Sequence, residues 1–506
     1  MKTKLLFSIF LGLLFFSQAQ VKYLDSNFNT VGFSVTDYRS DSYDSFFKLK
    51  INNTKDAVFT FSSLSLSNFT FYESGFSVLK HNLTNGLNSD FGVGGKSHYY
   101  ADSYHSIFNP NDIYEYSDGS FLILGMSETL RMAKIDKSGN PDPAFGFNGQ
   151  QVSETAASNK ILMLPDGKFY TFGRKADNLC IEKFTANGFA DFSFGNQGEL
   201  VYDLGTNEEI VDAKLLNDGK ILLIANSIEN ANSTPNYNYR RNILRKMNPD
   251  GSLDPSFSYN QGTSFLNTGI FRKAELSADN TYVYVLNKVE TCVDNILKIN
   301  LLTQSLELII KDNRSHSFFA CSDGDDFDIE DIILAGDKIF VAGNAGQNIF
   351  VYQFNTDGTL DSSFADQGKF IYSPGKSSDE KELKDIELAD DGGIYGGATL
   401  NRDILVFKIL KNFYLSSDEI RENKNVILLY PNPVANNANL LISSKSSKNI
   451  SIQIFDFSGK LVKSFAKKIT SGENKVELDL ANLPTGNYVV NCSSGDFSQS
   501  IHMIKK

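Results

Sequence analysis

The chain has 506 residues, more than one hydrophobic core can serve, so several domains or a modular array are expected. Its 41% hydrophobic content and 37 glycines fit a folded chain and exclude a disordered one. A formal net charge of −12 makes nucleic acid a poor partner, because a polyanion is repelled.

Residues 1–19 join a basic start at Lys2 and Lys4, an apolar run from Leu5 to Phe16, and the small-residue stretch Ser17-Gln18-Ala19. The pattern predicts a signal peptide cleaved between Ala19 and Gln20. Its apolar run is too short to span a bilayer. Loss of the two lysines takes the formal charge to −14. No Cys follows the cleavage site, so no lipid anchor is expected there, and no later stretch reads as a transmembrane helix.

From residue 24 onward a phenylalanine recurs in a fixed setting, at Phe28, Phe91, Phe145, Phe194, Phe257 and Phe364. The last gap is about double the others, so one copy near Ile310 has decayed. Seven units of about 56 residues result, and a fixed long period marks a repeat array. The unit from Gly198 to Phe257 shows the content of each. Leu200-Val201-Tyr202, Val211–Leu216, Lys220–Ala225 and Ile243–Met247 read as strands, and Asn217-Asp218-Gly219 as a hairpin turn. Similar turns stand at Asp118-Gly119, Asp166-Gly167 and Asp391-Gly392. They are blurred at Asp279-Asn280 and Gly336-Asp337. Four short antiparallel strands per unit is the content of a propeller blade. Seven units counted from Phe28 reach residue 412, and adjacent ends would close a ring and protect its sheet edges. Irregular first and fifth units leave the count open between six and eight. The repeated Asp ahead of each Phe reads as a turn acceptor, and the Phe as a wedge between blades.

These residues resemble the delta-60 β-propeller repeat, with its N-x-D-G-x-L-D-x-x-F-G-x-x-G signature. Asn187–Gly198, Asn248–Gly262 and Asn355–Gly368 match it best, and the resemblance covers residues 24–412. It departs in the fifth and sixth units. There Leu306-Glu307 replaces Leu-Asp, and Ile310 stands near the Phe position.

Ser416–Asn425 is polar and charged and reads as a linker. Beyond it come Leu429-Tyr430-Pro431-Asn432-Pro433 and then short alternating strands, with Ile450, Ile452 and Ile454 spaced by polar residues. A small β-sandwich is expected. The Tyr-Pro-Asn-Pro start, the Asp456-Phe457-Ser458-Gly459-Lys460 hairpin, the Leu483-Pro484-Thr485-Gly486-Asn487-Tyr488 strand entry and the basic end resemble the type A C-terminal sorting domain of the type IX secretion system. The resemblance implies export across the outer membrane, release or attachment at the cell surface, a partnership with that secretion machinery, and a Bacteroidetes source. The expected organisation is a signal peptide at 1–19, an all-β seven-bladed β-propeller at 20–412, a linker at 413–427 and a C-terminal β-sandwich at 428–506.

Candidate chemistry is sparse. Cys292 and Cys321 lie in one repeat unit, and an oxidising compartment would permit a disulfide between them. Cys180 and Cys492 read as small buried hydrophobes. His98 and His105 stand among Tyr99, Tyr100 and Tyr104, with nothing to fix a metal there. The acidic run holding Asp323, Asp325 and Asp328 would suit Ca2+ if it held a cation, but its spacing is not that of an EF-hand, and a solvated loop is the simpler reading. No other cofactor is implied. No G-x-S-x-G elbow, P-loop or dinucleotide fingerprint is present. Three functions compete. They are a secreted or cell-surface binding module for a polysaccharide or surface protein, a polysaccharide hydrolase or lyase on a propeller scaffold, and a passive surface array. The Ser227–Asn242 insertion, with Tyr237 and Tyr239, is the longest polar excursion available for contacts.

Overall fold

The computed structural model describes residues 23–410 and 427–506, apart from 39–41, 69–70, 85, 101–108, 127–129, 154–156, 206–207, 231–237, 262–268, 289–293, 312–326, 377, 431–433, 445–446, 457–459 and 495–496. The described residues form strands and turns only, in two compact units divided between Asn412 and Phe413.

The first unit is a β-propeller built from seven antiparallel sheets. The innermost strands, in chain order from blade 1 to blade 7, are Ser42–Ile51, Asn109–Glu115, Ala157–Met163, Glu209–Leu215, Ile270–Leu276, Phe327–Ala335 and Lys381–Leu388. Each packs on the next, and the seventh packs on the first. Six blades take all their strands from consecutive sequence; blade 1 adds a fifth strand. Blade 7 borrows its outermost strand from the start of the chain. There Phe33–Thr36 pairs with Asp403–Ile409 in the register Phe33↔Phe407 to Thr36↔Ile404. An Asp25–Lys408 ion pair at 2.8 Å reinforces that closure.

The sequence-derived unit is offset from the blade. Glu199–Tyr202 pairs with Asn178–Phe184 and so completes blade 3, while blade 4 runs from Glu209 to Gln261. Part of the Ser227–Asn242 insertion also pairs, extending the blade 4 hairpin to Asn230↔Asn238.

The offset explains the repeated phenylalanine. It follows the third strand of one blade and reaches the equivalent turn of the next. Phe91 lies against Gly139, Phe145 against Gly188 and Phe194 against Gly251. A Cβ on Gly188 would stand 2.5 Å from the Phe145 ring, and this glycine also takes φ +83°, which L side chains rarely adopt. Where the copy has decayed, Ile310 and Leu308 fill the same gap beneath Gly358. Beside Phe257 a polar stitch takes over. Gln304, itself at positive φ, accepts from Ser258 N at 2.9 Å and donates to Ser256 O at 3.0 Å.

The Asp three residues ahead of the phenylalanine, replaced by Asn88 before Phe91, is structural too. One carboxylate oxygen accepts the N–H two residues on, as in Asp191 with Ser193, Asp254 with Ser256 and Asp361 with Ser363. The other oxygen meets a lysine, as in Lys134–Asp142 at 2.8 Å, Lys168–Asp191 at 2.8 Å, Lys220–Asp254 at 2.6 Å and Lys338–Asp361 at 3.0 Å. Those lysine and serine bonds hold the Asp191 carboxyl down to about 2.

One buried position breaks the pattern. The lysine N–H that binds the glycine carbonyl in blades 1, 2, 3 and 7 is followed by His81, Ile135, Phe184 and Ile409 respectively. His81 is fully buried, neither ring nitrogen has a hydrogen-bond partner among the described residues, and burial pushes its pKa down to about 4.

The second unit is a two-sheet sandwich. Ile427–Tyr430, Asn437–Ser444 and Gly472–Asp479 form one sheet; Leu461–Ile469, Lys448–Asp456, Gly486–Ser494 and Phe497–Lys505 form the other. Ile450, Ile452 and Ile454 all point into its core with Leu440, Ile442, Val490 and Met503. The alternation in the sequence therefore marks one buried face.

Two stability effects follow. Phe145→Ala empties an inter-blade wedge and is expected to destabilise the chain by about 3–5 kcal/mol in denaturant titrations, whereas a surface change leaves it within about 0.5 kcal/mol. For His81 the charged form is disfavoured in the folded state. Its contribution is whole above pH 6.5 and is lost as pH falls from 6.5 toward 4. Replacing it by the apolar residue of two counterparts, His81→Ile, should remove about 2 kcal/mol of destabilisation at pH 5 relative to pH 7.5, read as a smaller loss of melting temperature on acidification than in the wild type.

Candidate functional site

The innermost strand of every blade carries a β-bulge. The register skips one residue between Phe46 and Lys48, Pro110 and Asp112, Ser158 and Lys160, Ile210 and Asp212, Phe271 and Lys273, Ile329 and Asp331, and Leu383 and Asp385. In all seven the residue that resumes the ladder is charged. Around the ring the signs run Lys48, Asp112, Lys160, Asp212, Lys273, Asp331, Asp385. They alternate until blades 6 and 7, because seven members cannot alternate throughout.

A bulge leaves backbone groups outside the ladder, and a buried N–H needs an acceptor. The aspartates supply it across the blade boundary. Asp112 accepts from Ile161 N at 3.0 Å, Asp331 from Ile386 N at 2.9 Å, and Asp385 from Leu49 N at 3.0 Å. The donor is each time the residue after the next blade's ring position. In two of the three blades preceded by a lysine, which cannot accept, the aspartate serves its own blade. Asp212 takes Ala213 N at 2.9 Å and Asp331 takes Ile332 N at 2.7 Å.

The lysines converge on those carboxylates. Lys273 of blade 5 pairs with Asp331 and reaches Asp385 of blade 7 at 3.7 Å. Lys48 reaches the same Asp385 at 3.6 Å, and this neighbour holds its ammonium charged well above the usual lysine range. A side chain of blade 5 touching blade 7 means that the centre of the ring is filled by ionic groups. A second tier lies two residues along. Lys50 pairs with Glu387 at 2.5 Å, and Lys214 with Asp212 at 3.0 Å and Glu275 at 3.9 Å. Burial raises the Glu387 carboxyl. The hub binds blades to one another, with its carboxylates engaged by backbone N–H groups and ammonium groups.

The residues singled out from sequence do not gather here. Asp328 pairs with Lys288 at the start of the blade 6 inner strand. Asp323, Asp325, Cys292, Cys321, Ala19, Gln20 and His105 lie outside the described residues. The His98 Nδ1 sits 2.6 Å from the Tyr38 hydroxyl. Cys180 and Cys492 are free and buried. Among the described residues no cluster of three or more His, Cys, Asp or Glu could hold a metal ion. Sequence reasoning passed over the hub although it left a signal. In six blades the charged residue stands seven positions ahead of the positive-φ residue of the hairpin turn, as Asp212 does before Gly219 and Lys48 before Lys55.

The hub separates two unlike faces. On one, the first and second strands of each blade meet in short turns such as 116–120, 164–168 and 216–220. In these an aspartate caps the N–H two residues on, as Asp166 does for Lys168 and Asp218 for Lys220. On the other, blade-to-blade connections run from three residues at 154–156 to fifteen at 312–326.

Asp385→Ala would leave Leu49 N and Lys48 without their acceptor and Lys273 with Asp331 alone. It is expected to lower unfolding stability by about 3–5 kcal/mol, while the exposed Asp390→Ala changes it by less than about 1 kcal/mol. Equal effects of the two in chemical denaturation would refute the structural role given to the hub.

Residues 428–506 match the family of secretion system C-terminal sorting domains. Residues 216–257 and 337–364 match a β-propeller domain family of unknown function. No curated protein sequence matches the chain. Among solved structures, the chain is similar to the β-propeller domain of Cps50 (Swd1) from Myceliophteria thermophila, at 10% identity and TM-score 0.42, covering 74% of this chain and 99% of that one. It is also similar to the β-propeller domain of the Trilobed protease from Pyrococcus furiosus, at 10% identity and TM-score 0.41, covering 73% and 96%.

Proposed function

Starting from a β-propeller protein that ends in a type IX sorting domain, we propose that the chain is a secreted or cell-surface binding module whose contacts are made by the variable-connection face. The asymmetry of the two faces carries this reading. One face repeats a single turn design whose polar groups are satisfied internally. The other spends chain length unevenly, and binding residues concentrate on such loops when a rigid scaffold positions them. The central charges hold the scaffold, so recognition falls to the periphery. The ligand class is an extracellular polysaccharide or surface protein. The route begins with the signal peptide predicted at 1–19, continues through the periplasm, and is completed by the C-terminal unit, as its resemblance to type IX sorting domains implies.

Two measurements test this. Removing 428–506 in the source bacterium should leave the propeller inside the cell envelope; unchanged export would refute the sorting role. The mature chain, screened against glycan and surface-protein panels, should bind at least one ligand. Exchanging 312–326 and 262–268 for connections of the three-residue length that joins blades 2 and 3 should weaken that binding by about tenfold or more. An empty panel, or binding indifferent to the exchange, would remove this face from consideration.

A further inference from the structure

The repeats permit comparison of one blade with its sisters, position by position. After the turn glycine that follows the third strand, blades 2, 4 and 6 carry Asn140, Ser252 and Thr359, and blade 1 carries the half-buried Leu87. The Ser252 and Thr359 hydroxyls donate to the turn aspartates Asp250 and Asp357 at 2.7 and 2.6 Å. Blade 3 carries Phe189 there. Its backbone turn is unchanged, with Thr185 N bonded to Phe189 O at 2.8 Å, as Asn248 N is to Ser252 O at 2.8 Å. The phenylalanine is thus not needed for the turn, and it forgoes the side-chain hydrogen bond that Ser252 and Thr359 make there. Three residues on, the sisters carry Ser26, Ser89, Pro143, Pro255 and Ser362, and blade 3 carries Phe192. Two residues past the wedge, where blade 2 carries Phe147, the sisters are mixed: Thr30, Asn196 and Asp366 are polar, whereas Val93 is apolar and exposed and Tyr259 is buried, so Phe192 is the sharper departure.

All three rings face solvent, with Phe147 75%, Phe189 43% and Phe192 76% exposed, while the adjacent wedges Phe145 and Phe194 are buried. Phe147 and Phe189 meet edge to face across the blade 2–blade 3 boundary, their centroids 5.8 Å apart. The same two segments carry exposed amides at Asn148, Asn187, Asn196 and Gln197. The only charged side chains in 140–149 and 187–198 are Asp142 and Asp191, and each is paired with a lysine. Aromatic side chains gathered on an exposed surface, against the pattern of the same chain, mark a recognition site.

We propose that this boundary binds a neutral polysaccharide. Ring faces accept the C–H surface of a pyranose, and neighbouring amides exchange hydrogen bonds with its hydroxyls. Neither 140–149 nor 187–198 contains a Lys or Arg to pair with an acidic sugar, and a net charge of −12 repels a polyanion. The site lies on the short-turn face, so it does not rest on the reading of the variable face.

The test is native affinity electrophoresis of the full mature chain in gels containing laminarin, hydroxyethylcellulose or galactomannan, with alginate and polygalacturonate as acidic counterparts. Phe147→Asn, Phe189→Ser and Phe192→Ser together introduce residues that sister blades hold at the same places, and Phe192→Ser alone is the mildest version. Thermal melts establish that both variants are folded. At least one neutral polysaccharide should retard the wild type, the triple variant should bind it about tenfold or more weakly, and the single variant should fall between. Shortening 312–326 and 262–268 should leave this binding intact, which separates it from the ligand of the other face. Three results would overturn the proposal. They are no retardation by any neutral polysaccharide, equal retardation of the triple variant, or a wild-type dimer in light scattering that the triple variant converts to monomer, which would make the patch an interface between copies.

Discussion

A carboxylate that reaches over a blade boundary to an N–H stranded by a bulge is the contact on which the propeller turns. Each radial sheet is too small to bury both faces alone, so the blades must be joined where they come closest. There the backbone of one inner strand departs from its ladder and needs an acceptor from outside. An aspartate has two oxygens and can serve its own blade and the following one, as Asp331 does. A lysine can serve neither, but it neutralises two aspartates at once. Four aspartates and three lysines are the most even division seven positions allow. The like-charged neighbours Asp331 and Asp385 are where Lys273 reaches to both.

Much of the architecture was legible because the repeat writes the same physical requirement many times. Glycines at Gly119, Gly167, Gly219 and Gly392 take φ near +80°, a conformation few other residues adopt, so they recur at fixed spacing. The phenylalanines recur because a blade boundary demands a large apolar side chain beneath a residue without one. Even the decayed copy could be located, since Ile310 meets that demand with less volume. The blade limits were misplaced by one strand because sequence marks turns, whereas sheet membership depends on which strand a segment pairs with. Leu200-Val201-Tyr202 carries no local mark that it belongs with residues before it and not after.

The hub was readable in principle but overlooked. A charged residue within an apolar inner strand, such as Lys273 in Ile270–Leu276, looks like ordinary strand alternation until all seven copies are aligned on their turns. Its opposite charges also cancel in any composition. The exposed aromatics of blades 2 and 3 became visible only when structure separated them from the buried wedges two to five residues away. In both cases the informative quantity is a departure from, or an agreement with, sister positions.

Blade 7 is sewn from both extremities of its unit, with Phe33–Thr36 laid beside Asp403–Ile409. Synthesis must therefore deliver residue 409 before the wheel can lock, and until then blade 1 lacks the partner to which Lys48 and Leu49 attach. Proteolysis has the converse geography. A cut between residues 410 and 427 would fall outside every described strand of either unit. Trimming the leading end beyond Gly32 would instead strip off the strand that fastens it.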